Sequence, residues 1–227
     1  MTANLPRRAR RLSTPRAAGL AGVLFAVLFG AAMVLIRTSI PDESGSGSPW
    51  LDGARTNLKV AAVLMPLAGI AFLWFIGVVR DGLGRYEDRF FASVLLGSGL
   101  LFLAMIFAAA AVGSALVAGR AVGVEASARG DVAVFGQALL LALAKTYALR
   151  MAAVFMISLA TIWLKTGLMS KWLVFGTYAT AAVLLIASDA SMWVTLLFPA
   201  WVLVVSLLAL SRAGVIDLHH GDERVEE

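Results

Sequence analysis

The sequence predicts an all-α, polytopic membrane protein with six transmembrane helices in a bundle. Three observations point there. Of the 227 residues, 60% are hydrophobic and only 15% are charged, with a mean hydropathy of +0.88; a soluble domain is roughly 45–50% apolar and about a quarter charged. The apolar excess falls into blocks of about 20 residues, the length a helix needs to cross the hydrocarbon core. The basic residues gather at the ends of those blocks, where they orient helices. A soluble core cannot absorb so many blocks.

The chain begins with MTANLPRRARRLSTPR, a basic N-terminal segment (1–16) with five arginines, no acid and two prolines. Ala17 to Ile36 follows as the first span (17–36). It is longer than a signal-peptide core and lacks a clear small-residue cleavage motif, so it reads as an uncleaved helix. Gly22, Ala26 and Gly30 recur every four residues, a smooth stripe of the kind that lets helices approach closely. Residues 37–59 form the one long polar loop, with GSGSP at its centre; Gly, Ser and Pro predict a flexible connection, and no Gly-Lys-Ser/Thr follows to make it a phosphate loop. Trp50 is placed at the interface.

The second span is 60–79, with Pro66 in its first turns, and the third is 90–110. Between them lies Arg80-Asp81-Gly82-Leu83-Gly84-Arg85-Tyr86-Glu87-Asp88-Arg89. Two glycines and a dense mixture of charges suffice to reverse the chain. The charged members Arg80, Asp81, Arg85, Glu87, Asp88 and Arg89 also make a candidate cytoplasmic docking surface.

Asp131 to Lys171 is the one apolar stretch with charge well inside it: Lys145 and Arg150 in the interior, Lys165 and Lys171 at the end. From Asp131 to Leu164 it would exceed 50 Å as one helix, at about 1.5 Å per residue against ~30 Å of hydrocarbon. The fourth span is therefore 146–164, its outer boundary near Lys145 and Tyr147, with VAVFGQALLLALA before it an extension or interfacial helix. The conformation of 111–145 is otherwise left open by the sequence. KTGLMSK leads to the fifth span (172–188), Asp189 marks a tight turn, and the sixth span (191–210) carries Pro199 near its middle, where a kink is expected. Residues 212–227 are a polar tail.

With both termini in the cytoplasm, twelve Lys and Arg lie inside and seven outside, as the positive-inside rule requires. The expected location is the plasma membrane. Lys145, Tyr147 and Arg150, on successive turns, form a candidate basic site at the outer boundary for an anionic solute or lipid headgroup. They serve equally as snorkelling anchors, or one pairs with Asp189. Asp189 itself is a candidate cation or proton site, or a helix cap. Gln137 could hydrogen-bond across helices.

Much chemistry is excluded. There are no cysteines, and both histidines, His219 and His220, lie in the tail, so no thiolate or intramembrane histidine ligates a metal or haem. Gly97-Ser98-Gly99-Leu100 resembles the serine motif of intramembrane rhomboid proteases, but the histidine base that chemistry needs is missing. No catalytic residue, metal site or cofactor is expected. The charge of +5 and pI near 10.1 sit at helix ends, so the partner they imply is the lipid bilayer, not nucleic acid.

The segment FLWFIGVVRDGLGRYEDRFF (72–91), with the overall length and span count, resembles uncharacterised multi-pass membrane proteins of actinobacterial type. The resemblance implies a bacterial plasma membrane and brings no site residues. The expectation is a structural or accessory membrane component, acting as a homo-oligomer or with other membrane proteins; the alternative is a small transporter or channel using the basic site.

Overall fold

The computed structural model describes residues 14–39, 50–83, 89–118, 126–187 and 192–212. Among them every regular element is helical. In chain order these are α1 (Thr14–Ser39), α2 (Trp50–Leu83), α3 (Arg89–Ala118) and α4 (Ala126–Leu141); a π-helical stretch, Ala142–Ala148, runs without a break into α5 (Leu149–Thr166); then come α6 (Lys171–Ala187), a 3₁₀ turn (Met192–Leu196) and α7 (Leu197–Arg212). Five helical segments are long and apolar enough to cross a membrane: Gly19–Ser39, Thr56–Arg80, Phe90–Ala118, Gly130–Thr166 and Trp193–Arg212. The sixth apolar helix, α6, has 17 residues and is shorter. These helices mark the chain as a multi-pass membrane protein.

With α4, the π stretch and α5 taken as one rod, successive helices alternate in direction, and contacts at each end of the bundle confirm it. At one end Lys165 Nζ stands 4.4 Å over the Phe91 ring, joining the end of α5 to the start of α3. Arg212 Nη1 donates to the Leu168 carbonyl at 2.8 Å, tying the end of α7 to the α5–α6 turn. That turn is made by Gly167, which at φ 66° takes the left-handed conformation and donates its N–H to the Trp163 carbonyl at 2.9 Å; a residue with a Cβ is strained there. At the opposite end Asn57 Nδ2 donates to Ser39 Oγ at 2.9 Å, and the Arg37 guanidinium lies 5.6 Å from the Trp193 ring centre.

The core is aromatic. Phe25 of α1, Phe72 of α2, Phe102 of α3, Phe155 of α5 and Phe198 of α7 are all fully buried. Phe72 meets each of the other four at centroid distances of 4.6 to 5.7 Å, mostly tilted or edge-on, the geometry aromatic quadrupoles prefer. Each ring sits about eight to fourteen residues in from the same end of the bundle, so five helices place them in one layer near mid-depth. α5 is the most enclosed helix, buried at Ala152, Ala153, Phe155, Met156, Leu159 and Ala160. Its alanines let neighbours approach closely, which drives packing where lipid tails remove the usual hydrophobic advantage.

α6 is peripheral, with Trp172 and Ile186 almost wholly exposed. Two hydrogen bonds hold it. Tyr178 and Thr161 hydroxyls share one at 2.7 Å to α5, and Trp201 Nε1 of α7 donates to Thr177 Oγ1 at 2.9 Å.

Several boundaries differ from those expected. The loop placed at 37–59 contains helix at both ends, since α1 runs to Ser39 and α2 begins at Trp50. Pro66 consequently lies mid-helix and not in the first turns. α3 continues to Ala118, and within the stretch that the sequence left open helix resumes at Ala126. The extension before the fourth span is a continuation of that same rod, packed against the far half of α3: Gly136 abuts Leu116, and Gly113 faces Leu140. Helices propagate past the apolar limit wherever a neighbour covers one face. Pro199 does not interrupt a continuous helix. It is the third residue of α7, directly after the 3₁₀ turn, where a missing N–H costs no helical hydrogen bond. Residues 1–13 and 213–227 lie outside the described residues.

Phe72→Ala removes the ring that contacts all the others, and should lower stability by about 3–5 kcal/mol, seen as a large drop in thermal midpoint in detergent. Gly22→Val should cost about 1–3 kcal/mol, because a side chain there meets Ser206 and Phe75. Gly30→Val, whose Cβ meets nothing, should shift the midpoint little.

Candidate functional site

The candidate basic residues sit where the long helix changes pitch. Lys145 and Tyr147 belong to the π-helical stretch and Arg150 to the first turn of α5. In an α-helix, residues five apart stand about 140° apart around the axis. The wider π turn, with i→i+5 hydrogen bonds, rotates less per residue and narrows that angle, so Lys145 and Arg150 approach a common face more closely than regular helix allows. Short π segments of this kind are frequent at functional sites. The same pitch keeps Ala144 and Ala148, four apart and both buried, on the packed side below Leu140.

Lys145 and Arg150 are partly buried, whereas the Tyr147 ring is 56% exposed. Lys145, Thr146 and Arg150 each take part in a polar, ionic or ring interaction. Measured along the helix, Arg150 stands about 21 Å from Leu164 and Lys145 about 28 Å; against ~30 Å of hydrocarbon, Lys145 falls at the boundary and Arg150 about two turns within it. Both lie within snorkelling reach of the headgroups. What this arrangement can do is electrostatic: two cations and a phenol can attract and orient an anion.

The other candidates divide. Gln137 of α4 is fully buried and engaged in an interaction. Asp189, Arg85, Glu87 and Asp88 lie outside the described residues. Asp81 lies in the last turn of α2 and Arg89 starts α3 in backbone terms, but their side chains lie outside the described residues too; Arg80 is exposed and takes part in an interaction. Ser98 is buried, and its hydroxyl donates to the carbonyls of Val94 at 2.7 Å and Leu95 at 3.1 Å in its own helix. It is a back-bonded helix serine. Among the described residues no group of three or more acidic or imidazole ligands could hold a metal.

Two features were not reachable from residue types alone. The π turn has no composition signal in ALAKTYA. The Arg37–Trp193 contact joins residues 156 positions apart, and nothing short of the tertiary fold brings them together. An arginine closing one span and a tryptophan opening another is the only hint the chain carries, and many pairs would satisfy it.

Compared with known proteins, the chain matches no protein-family model and has no significant match among curated proteins or solved structures.

Because the Ser98 hydroxyl serves its own helix, Ser98→Ala should change stability by less than about 1 kcal/mol, and a fluorophosphonate probe should leave the wild type unlabelled. Covalent labelling at Ser98 would give it a reactivity this geometry does not support.

Proposed function

We propose that the chain is a non-catalytic, accessory or scaffolding component of a plasma membrane, crossing it six times with both termini in the cytoplasm. The observation that carries this reading is the filled centre of the bundle. Five buried phenylalanine rings from five helices meet in one layer, where a conducting protein of this size needs polar groups or a void along the axis. The count of six takes α6 as a span: its 17 residues reach about 25 Å, most of the ~30 Å of hydrocarbon. The orientation rests on the charge bias, twelve Lys and Arg on the N-terminal side against seven.

In this reading Lys145 and Arg150 fix the long helix at the headgroup boundary. Partners are other membrane proteins or further copies, met along lipid-facing helices. A second reading is favoured by the π turn alone: the basic pair, drawn toward one face, binds an anionic headgroup or solute, as a small transporter or channel would use it.

The absence of cysteine makes single-cysteine accessibility decisive. Cysteines placed one at a time at residues 45, 145, 150 and 222 are treated with a membrane-impermeant maleimide in intact cells. Labelling is expected at 45 and 145, with protection at 150, and at 222 only after permeabilisation. Labelling of 222 in intact cells would reverse the orientation. Labelling at 150 that phosphate blocks would replace the accessory reading with the solute site.

A further inference from the structure

The turn between α5 and α6 carries a methionine whose surroundings differ from those of the methionines inside the bundle. Residues 167–170 lie between apolar segments that end at Thr166 and begin at Lys171. Lys165 and Lys171 flank them and are exposed, which places the turn at the water boundary. Met169 is partly exposed there, next to Gly167, Leu168 and Ser170, which are exposed. Met33, Met65 and Met156, by contrast, are only 3%, 2% and 0% exposed. Met105 and Met151 are half-buried but lie within the apolar spans.

Arg212, the last residue of α7, reaches this turn. Its Nη1 donates to the Leu168 carbonyl at 2.8 Å and also to Met169 Sδ. The carbonyl contact fixes the nitrogen against the sulfur. A thioether is a weak acceptor, so the cation is matched there to a poor partner. An oxygen in the same place would accept a charge-assisted hydrogen bond, about twice as strong as a neutral one. Sulfur chemistry can put that oxygen there.

We propose that Met169 is a modification site, oxidised to the sulfoxide by hydrogen peroxide, and that Arg212 directs the oxidation and then holds the product. The thioether sulfur attacks one peroxide oxygen; the S–O bond forms as the O–O bond breaks. The departing hydroxide takes the proton left on the transferred oxygen and leaves as water. Sulfur loses two electrons and the peroxide gains them. Positive charge grows on sulfur and negative charge on oxygen as the bond forms, and a donor already fixed beside the sulfur favours that separation. Sulfoxidation elsewhere makes an apolar side chain polar and disrupts its packing. At Met169 the new oxygen gains a bond to Arg212, which tightens the end of α7 on the α5–α6 turn. Methionine sulfoxide reductases reverse the modification, so the turn acts as a peroxide-responsive latch. The site involves neither Lys145 nor Arg150, and it holds whether the bundle scaffolds or transports.

The test treats the full-length protein in mild detergent with hydrogen peroxide, at exposures that modify fewer than one methionine per chain. Peptide mass spectrometry reads the sulfoxide at each methionine. Met169 should oxidise at least tenfold faster than Met33, Met65 and Met156, and at least threefold faster than Met105 and Met151. Arg212→Gln should slow Met169 at least threefold, although it uncovers the sulfur; Arg212→Lys should retain part of the wild-type rate. The thermal midpoint of the oxidised wild type should equal or exceed that of the reduced protein, whereas oxidation of Arg212→Gln should lower it. Met169→Leu should remove the response of the midpoint to peroxide. Oxidation of Met169 no faster than that of Met105 or Met151 would overturn the proposal. So would faster oxidation in Arg212→Gln, which would make exposure alone the cause, or a midpoint that falls equally in wild type and Arg212→Gln.

Discussion

The packing of Phe72 against four other rings is the contact on which the bundle depends. A helix surrounded by lipid gains little from burying apolar surface against another helix, because the lipid is equally apolar. What remains is the density and shape of the contact. Rings that meet edge-on and tilted at 4.6 to 5.7 Å fill the centre with dispersion contacts that disordered acyl chains cannot reproduce. Since each ring comes from a different helix, no two helices can shift without opening the layer.

Around that layer the helices use two further devices, divided by location. Near the centre α5 presents alanines, and α1 presents Gly19 and Gly22, so backbones come close. At the periphery, where α6 touches the bundle with few buried residues, hydrogen bonds do the holding: Thr161 with Tyr178, and Trp201 with Thr177. In a medium without water these side chains have few alternative partners, which adds to the pull of each bond. Above Gly22, α1 and α7 diverge by the same logic. Small side chains allow contact only where the facing residue fits, and opposite Gly30 the α7 wall offers Pro199 and Ala200, too short to reach.

The long rod of α4, the π turn and α5 answers the problem that Lys145 and Arg150 set in the sequence. An apolar run longer than the bilayer must tilt, bend or leave it. Here it stays helical because α3, itself 30 residues long, covers one face of it, from Leu116 on Gly136 downward. The change of pitch at Ala142–Ala148 keeps the buried alanines facing inward while it turns the two cations toward a shared side.

Much of this fold was legible in the chain. Composition and block length determine that the protein is helical and crosses a membrane, because each backbone N–H and C=O must find its partner within the segment once water is gone. The charges at block ends placed the turns at 80–89 and 165–171 closely, since charged residues stop an apolar run wherever they occur. The boundaries that shifted at Trp50 and Ala126 lie where helix runs through polar sequence, and the bilayer says nothing about that. The tertiary structure alone decided which faces meet: Phe25, Phe72, Phe102, Phe155 and Phe198 look like any lipid-facing phenylalanines until five helices turn them to one point. It alone decided that Gly22 is packed and Gly30 open, and that Arg37 meets Trp193. The physical reason is that lipid and protein interior are both apolar. The alternation of polar and apolar that reveals the buried face of a soluble helix is therefore nearly absent, and shape, which one-dimensional sequence does not carry, settles the rest.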